Sequence, residues 1–378
     1  MNYYLIAGER SGDLHGANLI KAIRQYDTSS KPTFRAYGGE QMEAAGAVLV
    51  RHYREMAFMG FLEVVKNLGT IRRIMRECQA DLLANRPDVL ILIDYAGFNL
   101  RMARFAKKHG IRVFYYISPK VWAWNQRRAL KIKATVDKLF TILPFETEFF
   151  AKYDYKVEYV GNPLLDALAD FKPDPVFRKE KGITDRPVIA LLPGSRHQEI
   201  TSILPAMLET TRQFPNYQFV LGTVSNLPES LYKCLLADFP HVICVDDAAY
   251  DLLHIATAAL VTSGTATLET ALLNIPQVVC YKTTGISYAI AKNLIAVPFI
   301  SLVNLIADRE VVKELIQNDL TPKRIGDELR RILPGESGRD AQLAGYAEVQ
   351  KKMGGAGASQ RAGRLMVDEL TKEKSLTN

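Results

Sequence analysis

No stretch of this 378-residue chain approaches the roughly 18 consecutive apolar residues that a membrane-spanning helix requires. Its start, MNYYLIAGERSGD, lacks a basic leader followed by a long apolar run, so neither export nor an integral membrane position is expected. Cysteine is scarce. The four present (Cys78, Cys234, Cys244 and Cys280) lie far apart, with no C-x-x-C pair and no histidines at zinc-ligand spacing, and they read as reduced thiols of a cytosolic protein. A zinc finger, an RNP signature and a basic heptad region are all missing, which leaves nucleic acid as the weakest partner class. Internal repeats and low-complexity runs are absent as well. What is present is a chain 48% hydrophobic and 24% charged, long enough for two globular domains. Its formal charge of +7 favours phosphates or anionic lipid as partners.

Short apolar runs alternate with amphipathic stretches of helical period from the first residue to about Leu333, the pattern of an α/β protein with parallel sheets covered by helices. Strands are predicted at Tyr3–Ala7, Phe34–Tyr37, Val89–Ile93, Val113–Ile117, Leu139–Leu143 and Val157–Val160. Between Gly161 and Pro187 the periodicity fails and prolines and charges accumulate, as in a linker. The alternation resumes with Val188–Leu192, Phe219–Leu221, Val242–Val245, Ala259–Val261 and Val278–Tyr281. The expected division is an N-terminal domain over residues 1–165, a second domain over 166–338 and a helical tail over 339–378 that packs back on the first.

Two Rossmann-like domains facing a cleft would place ligands at strand-to-helix loops. GERSGD (Gly8 to Asp13) is one such loop; an anion site and a plain tight turn with Asp13 as helix cap fit its letters equally well. LLPGSRHQEI offers Gly194, Ser195 and Arg196, whose guanidinium suits a diphosphate. VTSGTATLET offers Ser263, Gly264, Thr265 and Ala266 at a helix start, with Glu269 one turn on to accept from ribose hydroxyls. An ordinary capped helix with a solvated Glu269 explains the same letters.

These segments also carry a family resemblance. GERSGD resembles the GEASGD segment of lipid-A-disaccharide synthases, and YYISPKVWAWNQRR (Tyr115 to Arg128) resembles their SP-x-VWAW signature. LLPGSR, SGTATLE and SLVNLIADREVVKELIQ follow in family order. The resemblance implies a GT-B fold and an inverting β-1,6 transfer of 2,3-diacylglucosamine from UDP-2,3-diacylglucosamine to 2,3-diacylglucosamine 1-phosphate, with release of UDP. It places Asn304 with the UDP-binding residues. Ser11, Trp122 and Trp124 fall to the acceptor side. Catalysis is expected at the inner face of the cytoplasmic membrane of a Gram-negative cell, with a homodimer left open. Two departures stand out: Arg10 replaces the usual alanine, and IDYAGFN carries Gly97 where IDAPDFN has its second aspartate.

Inverting transfer needs a base, and Asp94, ending the apolar run DVLILID, is the first choice, with Glu9 and Asp13 in reserve. No D-x-D pair occurs, so neither a catalytic metal nor a cofactor is expected. His15 and His197 follow the glycine loops and read more readily as solvated or capping residues than as phosphate ligands. Membrane contact is expected at Phe58, Phe61, Leu62 and Val65 with Arg72 and Arg73 behind them, although a buried helix with a basic edge explains the same letters. The competing functions are another UDP-sugar GT-B enzyme, either an epimerase or a transferase with a soluble acceptor, and a non-catalytic nucleotide-sugar-binding protein at the membrane.

Overall fold

The computed structural model describes residues 1–29, 31–56, 67–283 and 297–377, with the backbone alone at Trp124 and 373–377. Phe58, Phe61, Leu62 and Val65 lie outside the described residues, as does the side chain of Trp124. The chain divides into two compact units: residues 1–169 with 355–378, and residues 170–354.

The first unit is built on a seven-stranded sheet of β1 (Asn2–Ala7), β2 (Thr33–Gly38), β3 (Val48–His52), β4 (Val89–Ile93), β5 (Arg112–Tyr116), β6 (Lys138–Thr141) and β7 (Glu158–Tyr159). Their order across the sheet is β3-β2-β1-β4-β5-β6-β7, and every pairing is parallel. Central β4 reads VLILI and is buried at every position, because helices cover both faces of a parallel sheet. One face packs under the helix Arg10–Tyr26, whose Leu19, Ile20 and Ile23 point inward. The terminal helix Ala358–Thr377 covers the same face with Ala362, Met366, Val367 and Leu370. Asp166, at the start of the helix Pro163–Asp170, anchors that helix by accepting from the backbone N–H groups of Gly357, Ala358 and Ser359.

The second unit repeats the plan with β8 (Val188–Leu192), β9 (Gln218–Thr223), β10 (Ile243–Asp246), β11 (Ala256–Thr262), β12 (Gln277–Tyr281) and β13 (Lys313–Ile316), in the order β10-β9-β8-β11-β12-β13 and again all parallel. Alternate residues of β8 feed two separate cores: Ile189 and Leu191 face one, and Val188, Ala190 and Leu192 the other. Helices Pro163–Asp170 and Phe177–Glu180 occupy the stretch expected as a linker. The helix Ser337–Met353 belongs to the second unit, so only residues from Gly355 onward go with the first. Among the described residues no helix is long and apolar enough to cross a membrane.

Candidate active site

Each sheet has a point where the strand order reverses. In the first the chain winds outward from β1 to one edge and from β4 to the other; in the second the reversal lies between β8 and β11. Connections leave such neighbouring strands in opposite directions, which opens a crevice at their carboxyl ends where ligands of α/β sheets bind. The four loops at these two crevices are Gly8–Asp13, Asp94–Gly97, Pro193–Arg196 and Ser263–Ala266, the same four singled out by their residues.

In the first unit Ala7 and Ile93 are register partners, so the loops after β1 and β4 start side by side. Gly8 is required there: a Cβ on it would stand 2.3 Å from the Tyr95 ring. Asp94 (φ 45°) and Tyr95 (φ 48°) are both left-handed, and so is β-branched Ile117 (φ 64°) at the end of neighbouring β5. Such strain, about 1–3 kcal/mol per residue, persists only where the surroundings over-determine it. Here they do. Buried Asn99 donates to the carbonyl oxygens of Asp94 (2.8 Å), Ile93 (3.2 Å) and Ile6 (3.4 Å), the Tyr115 hydroxyl donates to Asp94 O at 2.5 Å, and the Tyr95 hydroxyl donates to Met56 O at 2.6 Å.

The Asp94 side chain emerges at the rim of the sheet. It keeps contact with solvent, yet crowding by the surrounding protein raises its carboxyl above the ordinary range, a lift opposed by the Lys120 ammonium. Glu9 is half-buried, and the Tyr95 phenol is raised first by its own burial and then by the Glu9 charge. Gly97 is exposed in the first turn of the helix Ala96–Lys108, and a Cβ added there would meet nothing within 4 Å. Ser11 and Arg10 are exposed.

Asp13 needs correcting as a reserve base. It is 1% exposed and accepts from the backbone N–H groups of Gly39 (2.7 Å), Gln41 (3.0 Å) and Met42 (3.1 Å), so it fastens the short helix Glu40–Ala44 to the first helix. A buried carboxylate engaged by three donors is not available to a substrate hydroxyl. Trp122 is corrected too. It is 4% exposed, stands edge-on to Phe145, and donates its indole N–H to Glu146 at 3.2 Å, so it supports the loop from within instead of lining a site. Glu146, which sequence reasoning missed, also accepts from Ser118 Oγ (2.7 Å) and from the backbone of Ile142 and Leu143; its burial raises the carboxyl, against those hydrogen bonds. Burial pushes His15 down to about 4, against the pull of Asp166, so at neutral pH it brings no charge to a phosphate.

In the second unit Gly194 takes φ 112°, and a Cβ there would lie 2.3 Å from a Glu199 carboxylate oxygen. Glu199 accepts from the N–H groups of Ser195 (3.1 Å) and Arg196 (3.3 Å) and pairs with the Arg196 guanidinium at 3.1 Å. It holds the loop in shape and occupies those donors. His197 is exposed at the start of the helix His197–Thr211. At the other loop, the helix Thr265–Leu272 begins after extended Gly264, with Thr265 exposed and Ala266 half-buried. Ser263 Oγ donates to Ile300 O at 2.8 Å. Glu269 accepts from the Tyr250 hydroxyl at 3.0 Å, and burial raises its carboxyl.

Asn304 is the third correction. Fully buried, it accepts from Val311 and Val312 N–H through Oδ1 and donates to Val312 O and Glu314 through Nδ2, so its carboxamide closes a loop inside the protein and cannot reach a nucleotide. Arg72 and Arg73 are exposed on the helix Leu68–Asn85. Among the described residues no three His, Cys, Asp or Glu side chains converge as a metal-binding group.

The lipid-A-disaccharide synthetase family model matches residues 3–362. Curated relatives include the lipid-A-disaccharide synthases of Syntrophus aciditrophicus (41% identical, 97% of each chain), Geobacter sulfurreducens (37%, covering 98% of this chain and 97% of the relative) and Coxiella burnetii (34%, 96% of each). Among solved structures, the UDP-GlcNAc 2-epimerase of Neisseria meningitidis bound to UDP-GlcNAc aligns with TM-score 0.64 at 17% identity, over 98% of this chain and all of that one. The glycotransferase of kitacinnamycin aligns with TM-score 0.65 at 12% identity, over 98% and 97%. At such identities the structural matches show a shared GT-B fold and nothing more.

Proposed function

Because the chain belongs to the lipid-A-disaccharide synthase family, and so is a glycosyltransferase of lipid A synthesis using a UDP-sugar donor and a sugar-phosphate acceptor, we propose an assignment of its substrates and site residues. The donor is UDP-2,3-diacylglucosamine and the acceptor 2,3-diacylglucosamine 1-phosphate. Asp94 takes the proton from the acceptor's 6-hydroxyl as the O6–C1 bond forms and the bond from C1 to the diphosphate breaks, inverting C1 and releasing UDP. The observation that carries this reading is the Asp94 carboxylate at the reversal point of the first sheet, raised above the ordinary carboxyl range by its surroundings on a backbone that Asn99 and Tyr115 fix through the Asp94 carbonyl oxygen. Glu9, in the segment after neighbouring β1, is the alternative base.

Charge on the departing UDP falls to Arg196 and the backbone of Gly194, Ser195 and Ser263–Ala266, with Glu269 on the ribose. Glu199 accepts from the same Ser195 and Arg196 groups, so it must yield as the diphosphate arrives. The chemistry requires no metal ion in this reading. The chain works at the inner face of the cytoplasmic membrane, a placement supported by the apolar and basic letters from Met56 to Arg76.

The test is UDP release by purified protein. We expect release only with donor and acceptor together, undiminished by excess EDTA. Release from donor alone would refute the transfer, and loss on chelation with recovery on Mg²⁺ would refute the metal-free reading.

A further inference from the structure

Starting at Ala96, two residues after Asp94, the first unit carries a depression of about 320 Å³ between the helices Ala96–Lys108 and Arg128–Thr135. That volume lies at the lower end of ligand sites (~300–1,000 Å³). Four cations reach it: Arg101 and Arg104 from the first helix, Arg128 and Lys131 from the second. Its remaining wall is Ala96, Gly97, Leu100 and Thr135, with no carboxylate. Among the described residues none of the four cationic heads has an ion-pair or hydrogen-bond partner. The first helix also begins here, and its positive dipole end adds to the field. Four like charges crowded into one depression repel one another, which an incoming anion would relieve.

We propose that this depression binds the phosphomonoester of the acceptor. The idea rests on the transfer proposed above and extends it, because nothing in that reading says what distinguishes a phosphorylated acceptor from an unphosphorylated one. The phosphate matches in charge and geometry: a dianion with three acceptor oxygens suits two or more guanidinium forks. The position matches too. Ala96 and Gly97 form the wall only two and three residues after Asp94, so phosphate held by the arginines keeps the acceptor sugar close to the base. Gly97 contributes neither bulk nor negative charge, and a carboxylate at that position would offset part of the cluster.

The experiment uses the full chain and two double variants, Arg101→Gln with Arg104→Gln and Arg128→Gln with Lys131→Gln. All four side chains are exposed, so both variants should fold. In detergent micelles, KM for 2,3-diacylglucosamine 1-phosphate should rise about ten- to hundredfold in each, as expected for losing one or two charge-assisted bonds. KM for the donor should hold, and the preference for the phosphorylated over the unphosphorylated acceptor should fall by the same factor. Glucosamine 1-phosphate, titrated without any donor, should bind the parent protein and not the variants. An unchanged acceptor KM, or an equal rise with the unphosphorylated acceptor, overturns the proposal. So does selective loss of binding to phosphatidylglycerol vesicles with acceptor KM intact, which would assign the cations to lipid headgroups. Should the parent protein transfer sugar to neither acceptor, the proposed function fails on its own, and the glucosamine 1-phosphate titration still decides the site.

Discussion

Replacing Asp94 separates chemistry from architecture, because the backbone at this residue does as much as its carboxylate. Asparagine is among the residues that tolerate the left-handed region, and both hydrogen bonds to position 94 go to its carbonyl oxygen. Asp94→Asn should therefore fold with an unchanged melting temperature while turnover falls about 10²–10⁴-fold, the usual contribution of a general base. Asp94→Ala loses the same base and adds about 1–2 kcal/mol of left-handed strain. For a unit of this size that is roughly 2–8 °C in melting temperature. The assay pairs steady-state UDP release with thermal unfolding followed by circular dichroism. Parent, Asn and Ala proteins should then order as one active and two inactive by rate, but as two stable and one weakened by melting. Near-normal turnover in a folded Asp94→Asn protein refutes the assignment and passes the role to Glu9. A rate loss that tracks melting temperature across the two variants refutes it differently, by making Asp94 architectural.

Three further outcomes follow from the geometry. Asp13→Ala strands three backbone N–H groups and should cost at least about 3 kcal/mol, visible as a lower midpoint in urea; a change below about 1 kcal/mol would mean those donors find other partners. Arg196→Ala should weaken UDP binding by roughly 1.5–3 kcal/mol by calorimetry, and unchanged affinity would remove Arg196 from the diphosphate site. His15 is held near 4 when folded against 6.5 when free, so the unfolded chain binds the extra proton and stability falls as pH drops through that window. His15→Asn should flatten the fall between about pH 6.5 and 4, measured by urea midpoints at several pH values; an unaltered slope would show that His15 is not its source.

The central strands were legible because burial on both faces forces continuous apolar letters: Val89–Ile93 and Val188–Leu192 match their predicted spans. The edge strands β3 and β13 escaped, since VLVRH and KELI are short, only partly buried and end or begin in charged or polar letters. At the site the same logic applies. Glycine loops and the carboxylate closing an apolar strand announce themselves by position, so the places of Asp94 just after β4 and of Arg196 just after β8 could be read from letters alone. Asp13, Asn304 and Trp122 could not be told from ligand-facing residues, because their partners (the backbone near Gly39, the turn at Val311 and the Glu146 carboxylate) come from distant or unremarkable stretches of chain. Glu146 itself carries no local signal beyond lying in a short helix.

The terminal helix has a consequence for how the protein is made. Ala362, Met366, Val367 and Leu370 complete the core that the earliest residues begin, and Gly363 lies so close to the first helix that a Cβ would stand 2.7 Å from that of Ala22. A growing chain therefore exposes the apolar side of its first sheet while the whole second unit is being synthesised. The second unit, whose strands and covering helices all lie between residues 170 and 354, can close as soon as it leaves the ribosome. The part translated first is thus the part finished last, and until residue 370 emerges its open face is the stretch most in need of a chaperone.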